Sequence, residues 1–98
     1  MAKIRISNTI RAKLAAEHDV GPPEVHQCFA NRTGKLLMDT REEHATDPPT
    51  RWFIAPTNKG RLLKVCYVPR GDYFLRTCYE PNETELSIYR RNGQPLDF

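Results

Sequence analysis

No stretch of this chain approaches the run of roughly 18 apolar residues that crosses a bilayer, and its first twenty positions lack the apolar centre of a secretory signal. A cytosolic protein is the expectation. Cysteine is scarce: Cys28, Cys66 and Cys78 form an odd set without C-x-x-C spacing, which argues against a disulfide framework and a structural zinc site. All three read as small buried or half-buried apolar residues. A Gly-rich phosphate loop, a nucleophile elbow, an H-E-x-x-H run and carboxylates paired at helical spacing within an expected helix are missing, so NTPase, hydrolase and metalloprotease readings have no support. His18 and His26 have no second ligand at i, i+4, and neither a metal nor a cofactor is expected.

With 98 residues there is room for one domain, its ends at 1–6 and 92–98 loosely held, built on a single hydrophobic core. That excludes a two-domain enzyme with an interdomain cleft. What is present is charge, unevenly placed. Asp39, Glu42, Glu43 and Asp47 gather in one segment and Glu80, Glu83 and Glu85 in another. Between them Arg51, Lys59, Arg61, Lys64, Arg70 and Arg76 meet only Asp72. A basic middle segment points to nucleic acid or an acidic protein partner, or is simply a solvated surface.

Periodicity sets out the elements. Ser7 can cap a first helix with Ile10 and Leu14 on one stripe, ending near 18–21. Pro22 and Pro23 suit the first turn of a second helix carrying Val25, Cys28 and Phe29, stopped by Asn31 and Gly34. A short strand is expected over 35–39 and a loop over 40–50, where Pro48 and Pro49 disfavour a ladder. Strands follow over 51–55, 61–68 and 73–79, separated by Gly-containing turns, and a helix capped by Asn82 over 83–91. The fold class is α+β: an antiparallel sheet of three to four strands with two N-terminal helices and one C-terminal helix.

The period of two assigns faces. Leu63, Val65 and Tyr67 define a core face, joined by Trp52, Ile54, Tyr73, Leu75, Thr77 and Tyr79. A four-residue loop over 57–60 sets Phe53 opposite Lys64 and Arg51 opposite Cys66, and a loop over 70–72 sets Cys66 opposite Arg76 and Lys64 opposite Cys78. On this register Arg51, Lys64 and Arg76 share the open face and can converge on a phosphate, or pair with Glu80, Glu83 or Glu85.

The order of H-D-V-G-P-P-E-V-H-Q-C-F, R-E-E-H, T-R-W-F-I-A-P, G-R-L-L-K-V-C-Y-V, G-D-Y-F-L-R-T-C-Y-E-P-N and the E-x-x-x-Y from Glu85 to Tyr89 resembles BrnT-like toxins of the RelE/ParE superfamily, over roughly residues 18 to 91. At one position the pattern differs: Tyr79 stands where such toxins tend to carry an arginine after the last strand's small residues. The resemblance implies a RelE-like fold of helices packed on an antiparallel sheet, a metal-independent endoribonuclease that blocks translation, and a cognate antitoxin of the ribbon-helix-helix type. RNA cleavage through the 2′-hydroxyl needs charge stabilisation at the phosphorane and proton transfer at two oxygens. Arg51, Lys64 and Arg76 are the candidates for the first need, with Arg61, Arg70, Arg90 and Arg91 as further RNA contacts. For proton transfer the chain offers His44, Tyr79, Glu80 and Tyr89, of which His44 titrates nearest neutrality. The competing class is a non-enzymatic module using the basic face to bind an acidic protein.

Overall fold

The computed structural model describes residues 2–39 and 48–98. Most of the expected loop, with Glu42, Glu43, Asp47 and the candidate His44, lies outside the described residues. The elements are β1 (Ile4–Arg5), α1 (Asn8–His18), α2 (Pro22–Asn31), β2 (Leu37–Met38), β3 (Arg51–Pro56), β4 (Leu62–Arg70), β5 (Asp72–Tyr79) and α3 (Glu83–Asn92). None of the described helices is long and apolar enough to cross a membrane.

Each helix begins where a side chain or a proline deals with orphan N–H groups. Ser7 Oγ accepts from the Ile10 N–H at 3.2 Å, and α1 ends on Asp19 in the left-handed region at φ 52°. Two prolines, which have no N–H to leave unpaired, open α2, and Glu24 Oε1 accepts from the Gly21 N–H. Asn82 and Glu85 form a reciprocal box at the start of α3: Asn82 Oδ1 accepts from the Glu85 N–H at 2.8 Å, and Glu85 Oε1 accepts from the Asn82 N–H at 3.0 Å.

The strands form one sheet in the order β1-β5-β4-β3-β2. It has five strands, and β1 runs parallel to β5, so the expected antiparallel sheet of three to four strands is corrected to a mixed one. Two residues, Ile4 and Arg5, are too few to show a period, which is why β1 left no mark in the sequence pattern.

The expected face assignment is corrected as well. The first hairpin closes with a loop one residue longer than expected: Thr57 N–H donates to Arg61 O, and Pro56 then pairs with Leu62. The register slips by one, setting Arg51 opposite Tyr67, Phe53 opposite Val65 and Ile54 opposite Lys64. A slip of one turns every side chain of β3 to the other face. The second hairpin keeps its expected register near the turn, with Pro69 opposite Tyr73 and Arg70 opposite Asp72 around Gly71 at φ 79°. Beyond it the ladder jumps from Tyr67–Leu75 to Cys66–Thr77, which leaves Arg76 as the extra residue of a β-bulge. Past that bulge β5 also changes faces.

The helical side of the sheet therefore carries Phe53, Ala55, Leu63, Val65, Tyr67, Leu75 and Cys78, all buried. They pack against Val25, Cys28 and Phe29 of α2 and Leu14 of α1; the Phe29 ring meets Phe53 at 5.0 Å and stacks on Tyr73 at 5.8 Å. Trp52, Ile54, Lys64, Thr77 and Tyr79 face the other way, where α3 lies. Burial matches the apolar reading of the cysteines: Cys28 and Cys78 are fully buried and Cys66 half-buried. Desolvation pushes the Cys28 thiol up to about 12 and Cys78 higher still, so neither ionises at neutral pH.

Helix α3 is held by Tyr89, whose ring is wholly buried between Gly34 and Gly93. A Cβ on Gly93 would sit 2.6 Å from the ring, and one on Gly34 would collide with the hydroxyl. That hydroxyl donates to Lys35 O at 2.8 Å and accepts from the Ile54 N–H. Only Arg51 and Trp52 of β3 pair with β2, so Tyr89 and the Asn31 amide, bonded to Pro56 O at 3.0 Å, complete the edge of β3 where strand pairing stops.

Candidate functional site

Lysine is rarely buried without a partner, yet Lys64 in the middle of β4 is only 7 % exposed. Alternation turns it away from α1 and α2, and antiparallel pairing sets it directly opposite Tyr79 of β5. The first turn of α3 brings Glu85 down onto both. Lys64 Nζ donates to Glu85 Oε2 at 2.8 Å, the Tyr79 hydroxyl donates to the same oxygen at 2.6 Å, and Nζ lies 3.4 Å from that hydroxyl. The other carboxylate oxygen is taken by the Asn82 N–H, so the helix cap fixes the carboxylate's orientation. Trp52 forms the wall, its ring centroid 4.6 Å from Nζ.

Electrostatics follow from that geometry. Burial opposes the charge on Glu85, but the hydrogen bonds from Lys64, Tyr79 and the Asn82 N–H outweigh it and hold the carboxyl below its ordinary range. Burial likewise opposes the Lys64 ammonium, and the bond to Glu85 outweighs it, so its pKa is raised. Burial and the bond to Glu85 both raise Tyr79. At neutral pH the group is thus an ammonium, a phenol and a carboxylate in mutual contact.

Two open cavities border this centre, one at Lys64 and Glu85 and one at Tyr79. An open cavity of about 420 Å³ is lined by Trp52, Lys64, Glu85, Asn82, Asp39 and Ile88. Another of about 560 Å³ is lined by His18, Arg61, Tyr79 and Glu80, with the His18 ring 5.5 Å from that of Tyr79. Arg61 braces this second side. It donates to the carbonyls of His18 and Asp19 at 2.8 and 2.7 Å, and to Glu24 and Glu80 at 3.1 and 3.3 Å. Among the described residues no group of three His, Cys, Asp or Glu side chains is placed to hold a metal ion.

Of the residues singled out in the sequence, Lys64 and Tyr79 come together and the other cations do not join them. Arg51 lies on the opposite face beside Tyr67, whose pKa burial raises and the hydrogen bond from Arg51 pulls back. Arg76 stands at the bulge, next to Arg5 and Lys13. Arg61 is engaged in ion pairs, Arg70 ends β4, and Arg90 and Arg91 are exposed in the last turn of α3. From the sequence alone Glu85 is expected only as a counter-charge and Trp52 as core; both belong to the site. For Glu85 the signal was there, three residues after Asn82 at the head of the E-x-x-x-Y spacing.

Comparisons with protein-family models, with curated proteins and with solved structures find no match for this chain.

Proposed function

We propose that this chain is a metal-independent endoribonuclease acting as the toxin of a type II toxin-antitoxin pair, on a RelE-like scaffold of the BrnT-like kind. The observation that carries the reading is the convergence of the Lys64 ammonium and the Tyr79 hydroxyl on one oxygen of Glu85, beside cavities open to a ligand. These are the three kinds of group that cleavage through the 2′-hydroxyl uses: a cation, a proton donor and a proton acceptor. Two N-terminal helices on one face of a mainly antiparallel sheet agree with the scaffold the resemblance implies.

In this mechanism a phosphate entering the site draws the Lys64 ammonium away from Glu85 and is stabilised by it as negative charge builds on the phosphorane. Glu85 takes the proton of the attacking 2′-hydroxyl. Tyr79 gives its proton to the departing 5′ oxygen, leaving a 2′,3′-cyclic phosphate and a 5′-hydroxyl. Glu85 then returns the proton it took to the Tyr79 phenolate across their 2.6 Å contact, which resets the site. A carboxylate held below its ordinary range is a weak base while Lys64 rests on it; loss of that contact to the phosphate raises its basicity when it is needed. A cognate antitoxin of the ribbon-helix-helix type is the protein partner of this reading.

A second reading is favoured by the closure of the network, in which each member satisfies the others: Lys64, Tyr79 and Glu85 would then only dock α3, and the chain would be an interaction module for an acidic protein. Induced expression separates the two. Growth arrest with cleaved transcripts, relieved by a neighbouring gene product, is the toxin outcome. Harmless expression with intact transcripts and no such neighbour sinks it.

A further inference from the structure

The cavity at Tyr79 has a companion lined by the same two elements, α1 and β5. Where β1 gives way to α1, an open groove of about 610 Å³ lies between α1 and β5, lined by Arg5, Ser7, Lys13, Phe74 and Arg76 among others, none of them acidic. The bulge matters here: as the unpaired extra residue of β5, Arg76 is exposed at the groove. Neither Arg76 nor Lys13 forms an ion pair with a described residue. Arg5 gives only its Nε to Asp72, at 2.7 Å, and its side chain stays 54 % exposed. Beside these cations Phe74, the third residue of β5, is 43 % exposed.

Both cavities are walled by α1 and β5. One meets α1 at Ser7, Ile10 and Lys13, the other at Ala15, Ala16, Glu17 and His18, and along β5 they are reached from Phe74 and Tyr79. Phe74 and Tyr79 stand opposite Val68 and Lys64, four residues apart on β4, so at about 3.3 Å per strand residue they are roughly 13 Å apart, within reach of a short single-stranded segment. Free guanidinium and ammonium groups beside an exposed aromatic ring are what a single-stranded polynucleotide requires, phosphates on the cations and a base on the ring. An acidic peptide would use the cations and leave the ring without a role.

We propose that the groove formed by Arg5, Lys13, Phe74 and Arg76 is a binding subsite for single-stranded RNA that leads the strand along α1 and β5 to the Lys64, Tyr79 and Glu85 centre. The inference rests on the RNA reading of that centre, and the two can fail separately. The probe is a fluorescein-labelled single-stranded oligonucleotide, 2′-O-methylated so that it cannot be cleaved, titrated by anisotropy at several salt concentrations. Cleavage of unmodified RNA by the wild-type protein is measured in parallel, and thermal unfolding confirms that each variant folds.

Arg76→Gln and Lys13→Gln are each expected to reduce the steepness of log K against log salt by about 0.7, the share of one phosphate contact. Phe74→Ala is expected to weaken binding about tenfold without changing that slope. Lys59→Gln, at the tip of the β3–β4 turn, serves as the control and changes neither. If wild-type and the groove variants bind alike, the subsite is elsewhere and the inference is wrong, whatever the cleavage assay shows. If the oligonucleotide does not bind while a glutamate-rich peptide does, with loss on Arg76→Gln, the occupant is an acidic protein and the inference is again wrong. Cleavage in the parallel assay reports independently on the catalytic reading.

Discussion

Lys64 can stay charged in a nearly closed setting only because a carboxylate and an aromatic face await it. With side-chain exposures of 8 % and 17 %, Lys64 and Glu85 form a pair whose breaking strands a charge. Glu85→Gln is therefore expected to lower stability by about 3 kcal/mol, at the low end for a buried pair because water reaches the groove. The double variant Lys64→Met with Glu85→Leu is expected to recover all but about 1 kcal/mol, the residue being the lost helix-cap bond. Urea unfolding of Lys64→Met, Glu85→Leu and the double measures this, and simple additivity would contradict a coupled pair. The pH dependence has a definite sign. Because the folded-state pKa of Glu85 is lowered from its ordinary 4.5, its contribution is present above that value and is lost as pH falls through the lowered one. Lys64 is raised from 10.5, so its contribution is present below that value and is lost only as pH rises through the raised one. Stability from this pair should be level across neutral pH and fall in acid, a fall that Glu85→Gln removes. The thiols offer a simpler check: Cys28 and Cys78 should resist an aromatic disulfide reagent until the chain unfolds.

At the level of elements, the sequence carried the three helices and the three central strands because caps, paired prolines and runs of β-formers are local signals. It did not carry the sheet's register. Whether a hairpin spends four residues or five on its turn depends on Thr57 bonding across to Arg61, and whether a strand holds a bulge depends on its neighbours. Those two single-residue events moved Arg51, Phe53 and Cys78 to one face and Trp52, Ile54 and Tyr79 to the other, dispersing the expected phosphate triad while bringing Lys64 and Tyr79 together. The docking of α3 rests on Tyr89. Tyr89→Phe should cost about 1–3 kcal/mol, since it leaves the Lys35 carbonyl and the Ile54 N–H without their partner. Gly34→Ala should loosen α3 by displacing the same ring, and amide exchange in α3 relative to β4 would register both. Protection in α3 that stays unchanged in either variant would contradict this anchoring.

For the molecule as a whole, the arrangement places a buried ionic centre under α3 and leaves an uncovered basic edge along α1 and β5. Composition announced the excess of positive charge but not its division between faces, because that division depends on the register. The stabilising ion pair and the proposed RNA contacts fall on different residues. Arg76→Ala, at an exposed bulge, should change stability by no more than about 0.5 kcal/mol, while Glu85→Gln should reduce both stability and chemistry. Tyr79→Phe removes the hydroxyl bonded to Glu85 and keeps the ring, so it separates the proposed proton transfer from ring packing.

The most direct measurement is therefore the cleavage of single-stranded RNA by the purified protein in the presence of a metal chelator, comparing wild type with Tyr79→Phe. The expected result is wild-type cleavage to 2′,3′-cyclic phosphate and 5′-hydroxyl ends, unaffected by the chelator and slowed at least about 100-fold in the folded variant. Intact RNA with the wild type, or equal cleavage by the two proteins, would contradict the assignment of Lys64, Tyr79 and Glu85 as a reacting centre.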